Sequence, residues 1–294
     1  MGRIHTDTRG IQHHVGGRKR SSPAKRRLIP HLPHYVTRMA DLPTPPALLD
    51  LRAKATTALL QVYLNDAEGD CVIAGYYHAK GVLTGNATGT PFIATDAQIN
   101  GDYGAIGGYV VGDPSTDNGC DMVTAIQYWM ATGDQGGTKL AGAVSLDATN
   151  VPLMQLALFL FSNLYLGFEI PDSGINPFPS AGDVWNLTGA PDPSNGHCIE
   201  SVGYAAPGTP AIVGYTVDGI LVCTWGEIVL IPWAAVSEYF ADANGGEAYA
   251  LFSPDELAAG MSACPNGIDW GSLQADLAAI GTPVPASPDA TLAP

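Results

Sequence analysis

Past residue 38 the sequence is poor in positive charge: four basic residues (Arg52, Lys54, Lys80, Lys139) stand against 27 acids, which gives that body a charge of about −23. So acidic a surface disfavours nucleic acid or other anions as ligands of the body. No uninterrupted apolar run is long enough to span a bilayer, because the longest, Val151 to Ile170, is broken by Pro152, Gln155, Ser162, Asn163 and Gly167. The basic start is not followed by an apolar h-region, so no secretory signal is expected, and a cytoplasmic or virion-associated location is. The five cysteines form no CxxC pair, which argues against a zinc site and against a disulfide scaffold and leaves at least one thiol free. Phosphate loops and dinucleotide fingerprints are missing, and the acids Asp96, Asp102, Asp113, Asp117 and Asp121 lack calcium-loop spacing and read as a solvated face. No cofactor or metal is implied.

What is present divides the chain in three. Residues 1–40 are a basic arm, with nine of the 13 Lys and Arg, one acid and no hydrophobic periodicity, expected to be disordered in isolation and ordered only by a partner. That arm, about +8 over residues 1–38, is suited to an acidic protein assembly or nucleic acid, or to the acidic body itself. Its five histidines add charge below about pH 6.5. Residues 41–255 form the folded domain, and 256–294 a C-terminal helix and a Pro/Ala-rich tail.

Within the domain the first half reads as helical and the second as β. Helices are expected from Cys71, over 121–132 and over 153–161; strands over 164–170, 197–204, 211–217, 220–225, 229–232 and 248–252; and a last helix over 269–280. The turn at 65–71 places Asp70 to cap a helix and Cys71 in its first turn.

Only His78 and His197 lie outside the arm. His78 is seven residues beyond Cys71 on the same helix, about 10 Å along its axis, too far to take the thiol proton. His197 is therefore the candidate base. A thiol at a helix start feels the positive end of the helix, and a neighbouring imidazolium lowers its pKa further. The plainer alternative makes Cys71 a small core residue and His197 a hydrogen-bonded core histidine. Cys198, on the opposite strand face from His197, and the aromatic pairs Tyr76/Tyr77 and Tyr128/Trp129 read as core.

Several segments, in order, resemble the papain-like cysteine peptidases: LeuPro at 42 and AspLeuArg at 50–52, AsnAspAlaGluGlyAspCys at 65–71, AsnGlyCysAspMetValThrAlaIleGlnTyr at 118–128, GlyHisCysIleGluSerValGlyTyr at 196–204 and IleLeuValCysThrTrpGly at 220–226. The resemblance runs from about Leu42 to Phe252. It implies an α+β, two-lobed fold: a helical N-terminal lobe (about 41–160) with the nucleophile helix, and an antiparallel β C-terminal lobe (about 161–255). It implies Cys71 as nucleophile, His197 as base and then acid, and Asn65 as an oxyanion donor beside the backbone N–H of Cys71. The family's third residue, an Asn that orients the histidine, aligns with Cys223, a poor acceptor; Thr224, Glu227, a backbone carbonyl or water could stand in. Val72 replaces a family Trp, and no long helical pro-segment precedes Leu42.

The implied function is a cysteine peptidase or amidase acting on peptide bonds, with protein or cell-wall peptide stems as substrate. The alternative is a structural protein, a virion or tail component of a bacteriophage, that keeps an inactive domain as scaffold and anchors it by the basic arm. A cell-wall amidase of the NlpC type shares the Cys-on-helix and His-on-strand pattern but leaves the segments around Asn118 and Trp225 unexplained.

Overall fold

The computed structural model describes residues 2–209, 212 and 214–280. The arm opens the chain with a hairpin of β1 (Arg3–Thr6) and β2 (Gln12–Val15), a short β3 (Arg18–Lys19) and one helical turn, α1 (Pro23–Arg26). Next come β4 (Leu48–Asp50), α2 (Thr56–Leu59), α3 (Cys71–Thr88), α4 (Asp96–Gly107), β5 (Cys120–Asp121) and α5 (Met122–Ala131). The chain continues through β6 (Gly142–Ser145), α6 (Val151–Phe161), β7 (Leu164–Glu169), α7 (Asp172–Ile175), β8 (Gly196–Ala205), β9 (Gly219–Thr224) and β10 (Glu227–Pro232). It closes with α8 (Trp233–Tyr239), β11 (Glu247–Phe252), α9 (Pro254–Ala263) and α10 (Trp270–Ile280).

One seven-stranded sheet in the order β10-β9-β8-β7-β11-β6, with β4 beside the end of β8, organises the body, and its pairings are antiparallel. All ten residues of β8 are buried, because it lies between β7 and β4 on one edge and β9 on the other. Its register with β9 slips between Ser201 and Gly203, a bulge that twists the strand and carries its last residues onto β4.

Helix α3 lies against β8. Fourteen of its 18 residues are buried, so it lacks the polar face of a surface helix. Gly75 allows the close approach: a Cβ there would touch the Tyr165 ring and the Cys198 sulfur. Tyr165 fastens the helix start by donating its hydroxyl proton to the Val72 carbonyl at 2.6 Å.

The helices and strands expected from periodicity are present with ends moved by one to a few residues. Where 211–217 reads as a strand from sequence, residues 210, 211 and 213 lie outside the described residues and 214–217 are turn and bend. Helix α4 is the element that composition concealed. A capping box, with Thr95 and Gln98 each accepting from the other's backbone N–H, starts it. The acidic residues of that stretch are not all solvated: Asp102 is buried and accepts from the Tyr77 hydroxyl at 2.8 Å. The tail from 281 onward lies outside the described residues.

The arm, which has no core of its own, takes its order from the body. Four charge pairs tie it down: Arg18 to Glu247, Arg20 and Arg26 to Asp242, and Lys25 to Asp121. The Cys120 amide donates to the Gly17 carbonyl at 3.1 Å, and β3 pairs in parallel with β5. Val15 is fully buried. No helix among the described residues is long and apolar enough to cross a membrane.

Candidate active site

Cys71 is the first residue of α3, and the backbone N–H of Cys198 on β8 points at its thiol. The nucleophile candidate and the strand of the base candidate are thereby joined, since Cys198 follows His197. All five cysteines are free thiols. Asp70, expected to cap α3, does not: it makes no side-chain cap bond, and one carboxylate oxygen instead accepts from the Asn65 amide at 3.1 Å. The other Asn65 contact is to the Glu68 carbonyl at 3.3 Å. In this arrangement the Asn65 amide braces the 65–70 loop.

His197 donates or accepts through Nε2 with the Thr224 hydroxyl at 2.8 Å, while its Nδ1 is buried without a partner among the described residues. When Nε2 carries the proton and donates it to Thr224, Nδ1 is left as the lone-pair nitrogen, the form a base requires. Strand alternation explains why Thr224 and not Cys223 takes this place. Cys223 points to the opposite face, where its thiol donates to the Leu59 carbonyl at 3.2 Å. Thr224 then ends β9 at a two-residue hairpin turn whose central residues, Trp225 and Gly226, both have positive φ (48° and 75°), as a twisted hairpin demands. The left-handed Trp225 backbone lays its indole flat on the His197 ring, with centroids 4.2 Å apart and planes 18° apart.

The arm extends that stack. His13 lies on the other side of Trp225, centroids 5.0 Å apart, so the indole is held between two imidazoles, with the Phe178 edge against both His13 and Trp225. Three glycine positions show how closely the arm then runs past the site. A Cβ on Gly17 would collide with the Gly69 carbonyl, two residues before Cys71; one on Gly119 would collide with the Gly17 carbonyl; and one on Gly196 would collide with the Arg18 carbonyl, one residue before His197. The arm is thus braced against the residues that flank both candidates.

Both groups are neutral in this closed form. Burial, with a smaller push from the Asp70 charge, raises the Cys71 thiol to about 12 despite the Cys198 amide and the Arg18 charge. Burial, with smaller contributions from His13, His14 and Arg18, lowers His197 to about 3. Cys71 and His197 are each only 1% exposed. His78 is a core residue, bonded through Nε2 to the Gln61 carbonyl at 2.9 Å.

No protein-family model and no curated protein matches the chain. Solved structures do. Xylellain, a cysteine protease from Xylella fastidiosa, superposes with a TM-score of 0.58 at 15% identity, covering 81% of this chain and 96% of that one. The proCathepsin B S9 from Trypanosoma congolense gives 0.54 at 11% identity, over 81% and 87% of the two chains. Digestive procathepsin L2 proteinase from Tenebrio molitor larval midgut gives 0.50 at 14%, over 82% and 84%. The chain therefore has the α+β fold of the papain-like cysteine proteases. At these identities the likeness defines the fold and not the chemistry.

Proposed function

We propose that this chain is a thiol peptidase of papain-like fold that acts on peptide bonds through Cys71 and His197 and is held closed by its own arm. The observation that carries the reading is the His197 ring: one nitrogen fixed by Thr224, the other free, the ring face clamped by Trp225, and the strand that bears it touching the Cys71 thiol. A purely structural histidine has no need of a free buried nitrogen.

In the open form, loss of the arm rehydrates both groups, so the thiol pKa falls and the imidazole pKa rises, and a thiolate and imidazolium become accessible together. The thiolate attacks the peptide carbonyl carbon. His197 then gives its proton to the leaving amine, and in the second half-reaction takes one from the water that releases the acyl group. The backbone N–H of Cys71 faces the developing oxyanion in this reading, while those of Ile73 and Ala74 are taken by the Asp70 carbonyl; the Asn65 amide joins it only if it lets go of Asp70. Thr224 plays the orienting role, with a weaker acceptor than an amide.

The test is hydrolysis of an unstructured protein by full-length chain whose arm has been lifted by Gly17→Val. Turnover that disappears in Cys71→Ser supports the reading, and turnover that survives it refutes it. In the same assay Thr224→Val is expected to lower kcat by about tenfold or more with little change in KM, since it frees the ring without touching the substrate. The same assay separates the rival reading, an inactive domain kept as a scaffold and anchored through the arm, which expects no turnover from the released chain.

A further inference from the structure

We propose that Asp117 is a positioning residue for the reaction of Cys71 with His197, acting through the amide of Gly69 to hold the thiol where the imidazole can reach it; this rests on the peptidase reading above. The 65–70 loop that delivers Cys71 to α3 is tied largely to itself. Tyr63 and Leu64 turn the chain with left-handed backbone (φ 55° and 67°), the amides of Ala67 and Glu68 return to the Leu64 carbonyl at 2.9 Å, and the Asp70 carbonyl accepts from Ile73 and Ala74. The amide of Gly69, two residues before Cys71, takes its partner from elsewhere: it donates to the two carboxylate oxygens of Asp117 at 3.0 and 3.1 Å. A charge-assisted bond of this kind fixes the last stretch of backbone before the thiol.

Asp117 is itself fixed on both sides. It follows a tight turn over Pro114–Thr116 that Asp113 caps through the Ser115 amide at 3.0 Å, and its own amide bonds back to the Pro114 carbonyl at 3.2 Å. The Tyr103 hydroxyl donates to one Asp117 oxygen at 2.5 Å while accepting from the Gly119 amide at 2.8 Å, which anchors the carboxylate to α4 and to the approach to β5. Residue 69 must be glycine for this contact, since a Cβ there would fall 2.6 Å from the carboxylate. The loop needs the hydrogen bonds and not the charge. Burial raises the carboxyls of Glu68 and Asp70, and the Asp117 charge adds to that cost. The charge faces the arm instead, where His14 Nε2 lies 3.4 Å away. When the arm leaves, His14 goes with it and the tie from Asp117 to Gly69 stays, so the thiol keeps its place in the open form.

The test is alkylation of Cys71 by iodoacetamide at pH 6 in the full-length Gly17→Val chain, each variant measured with and without His197→Ala so that the factor contributed by the imidazole is read directly. Asp117→Ala is expected to lower that factor at least about tenfold, since a misplacement of about 1 Å between reacting groups costs on the order of 100-fold. Asp117→Asn keeps an oxygen for the Gly69 amide and the Tyr103 hydroxyl and loses only the charge, so it should stay within about threefold of the parent. A residue that only stabilises the fold would leave the factor intact. An unchanged factor in Asp117→Ala, or Asp117→Asn as damaging as Asp117→Ala, therefore overturns the proposal. Should Asp117→Ala not fold, Tyr103→Phe, which takes one anchor from the carboxylate, replaces it: a factor lowered about threefold or more supports the proposal and an unchanged one overturns it. A parent chain whose labelling ignores His197→Ala sinks the peptidase reading and this proposal with it, whereas a His197-dependent parent that ignores Asp117→Ala sinks this proposal alone.

Discussion

In full-length Gly17→Val, Cys71 is expected to react with iodoacetamide at pH 7 about 10- to 100-fold faster than in the unaltered chain. The side chain added at 17 has nowhere to go, since its Cβ falls on the Gly69 carbonyl and its own carbonyl is already pressed against Gly119. Backbone on both sides cannot yield as a flexible side chain would. Overpacking of this kind costs about 1–3 kcal/mol, and each 1.4 kcal/mol is a tenfold shift between docked and released arm. A thiol reacts only as thiolate and only when reached, so its rate follows the released population. Ile11→Ala, at the exposed tip of the hairpin, serves as control and should leave the rate unchanged. An unaltered rate in Gly17→Val would mean that the arm does not guard the site.

Acid is expected to do what that substitution does. Three histidines sit where the arm meets the body, His13 half-buried and His14 and His197 buried, and all are lowered from their ordinary value chiefly by that burial. His13 lies among Trp225, Phe178, Asp7, Arg9 and Asp66; His14 lies by Asp117; and His197 lies by Thr224 and the cationic side of the arm. The docked form therefore binds fewer protons than the released form. Docking is at full strength above about pH 6.5, the ordinary histidine value, and weakens as pH falls from there toward the docked values, which for His197 is about 3. Within that window each histidine removes up to about 1.4 kcal/mol of docking per pH unit. Carboxylates oppose this at His13 and His14 but do not reverse the direction. Between pH 7 and pH 5 the released fraction should rise at least about tenfold. The readout is amide hydrogen exchange over residues 3–18, corrected for its intrinsic pH dependence. Loss of protection at pH 5 is the expected result, and protection that is unchanged or stronger there contradicts it.

These expectations show which parts of the molecule sequence could reveal. Cys71 and His197 were legible because each is set by local pattern: a polar turn before a buried helix, and an apolar strand bearing one of two available histidines. Thr224 stood only among several substitutes for the missing Asn, because choosing it requires the face of β9 and the left-handed turn at 225–226, which strand periodicity does not encode. Helix α4 hid behind glycines and aspartates, although Thr95 and Gln98 at capping-box spacing marked its start. The arm's position was the least legible. Its docking depends on partners more than 200 residues away, such as Glu247 for Arg18, and on glycines whose only role is to be narrow. Charge complementarity told that arm and body attract; it could not tell where.

The central claim is that Cys71 and His197 act as one reactive pair, and it is tested most directly by mapping the adduct of an epoxide probe on the Gly17→Val chain at pH 6 with and without His197→Ala. Modification at Cys71 that slows by about 100-fold or more without the imidazole is the predicted result, given what a positioned base contributes. Equal rates in the two chains, no faster than a free cysteine in solution, would contradict it.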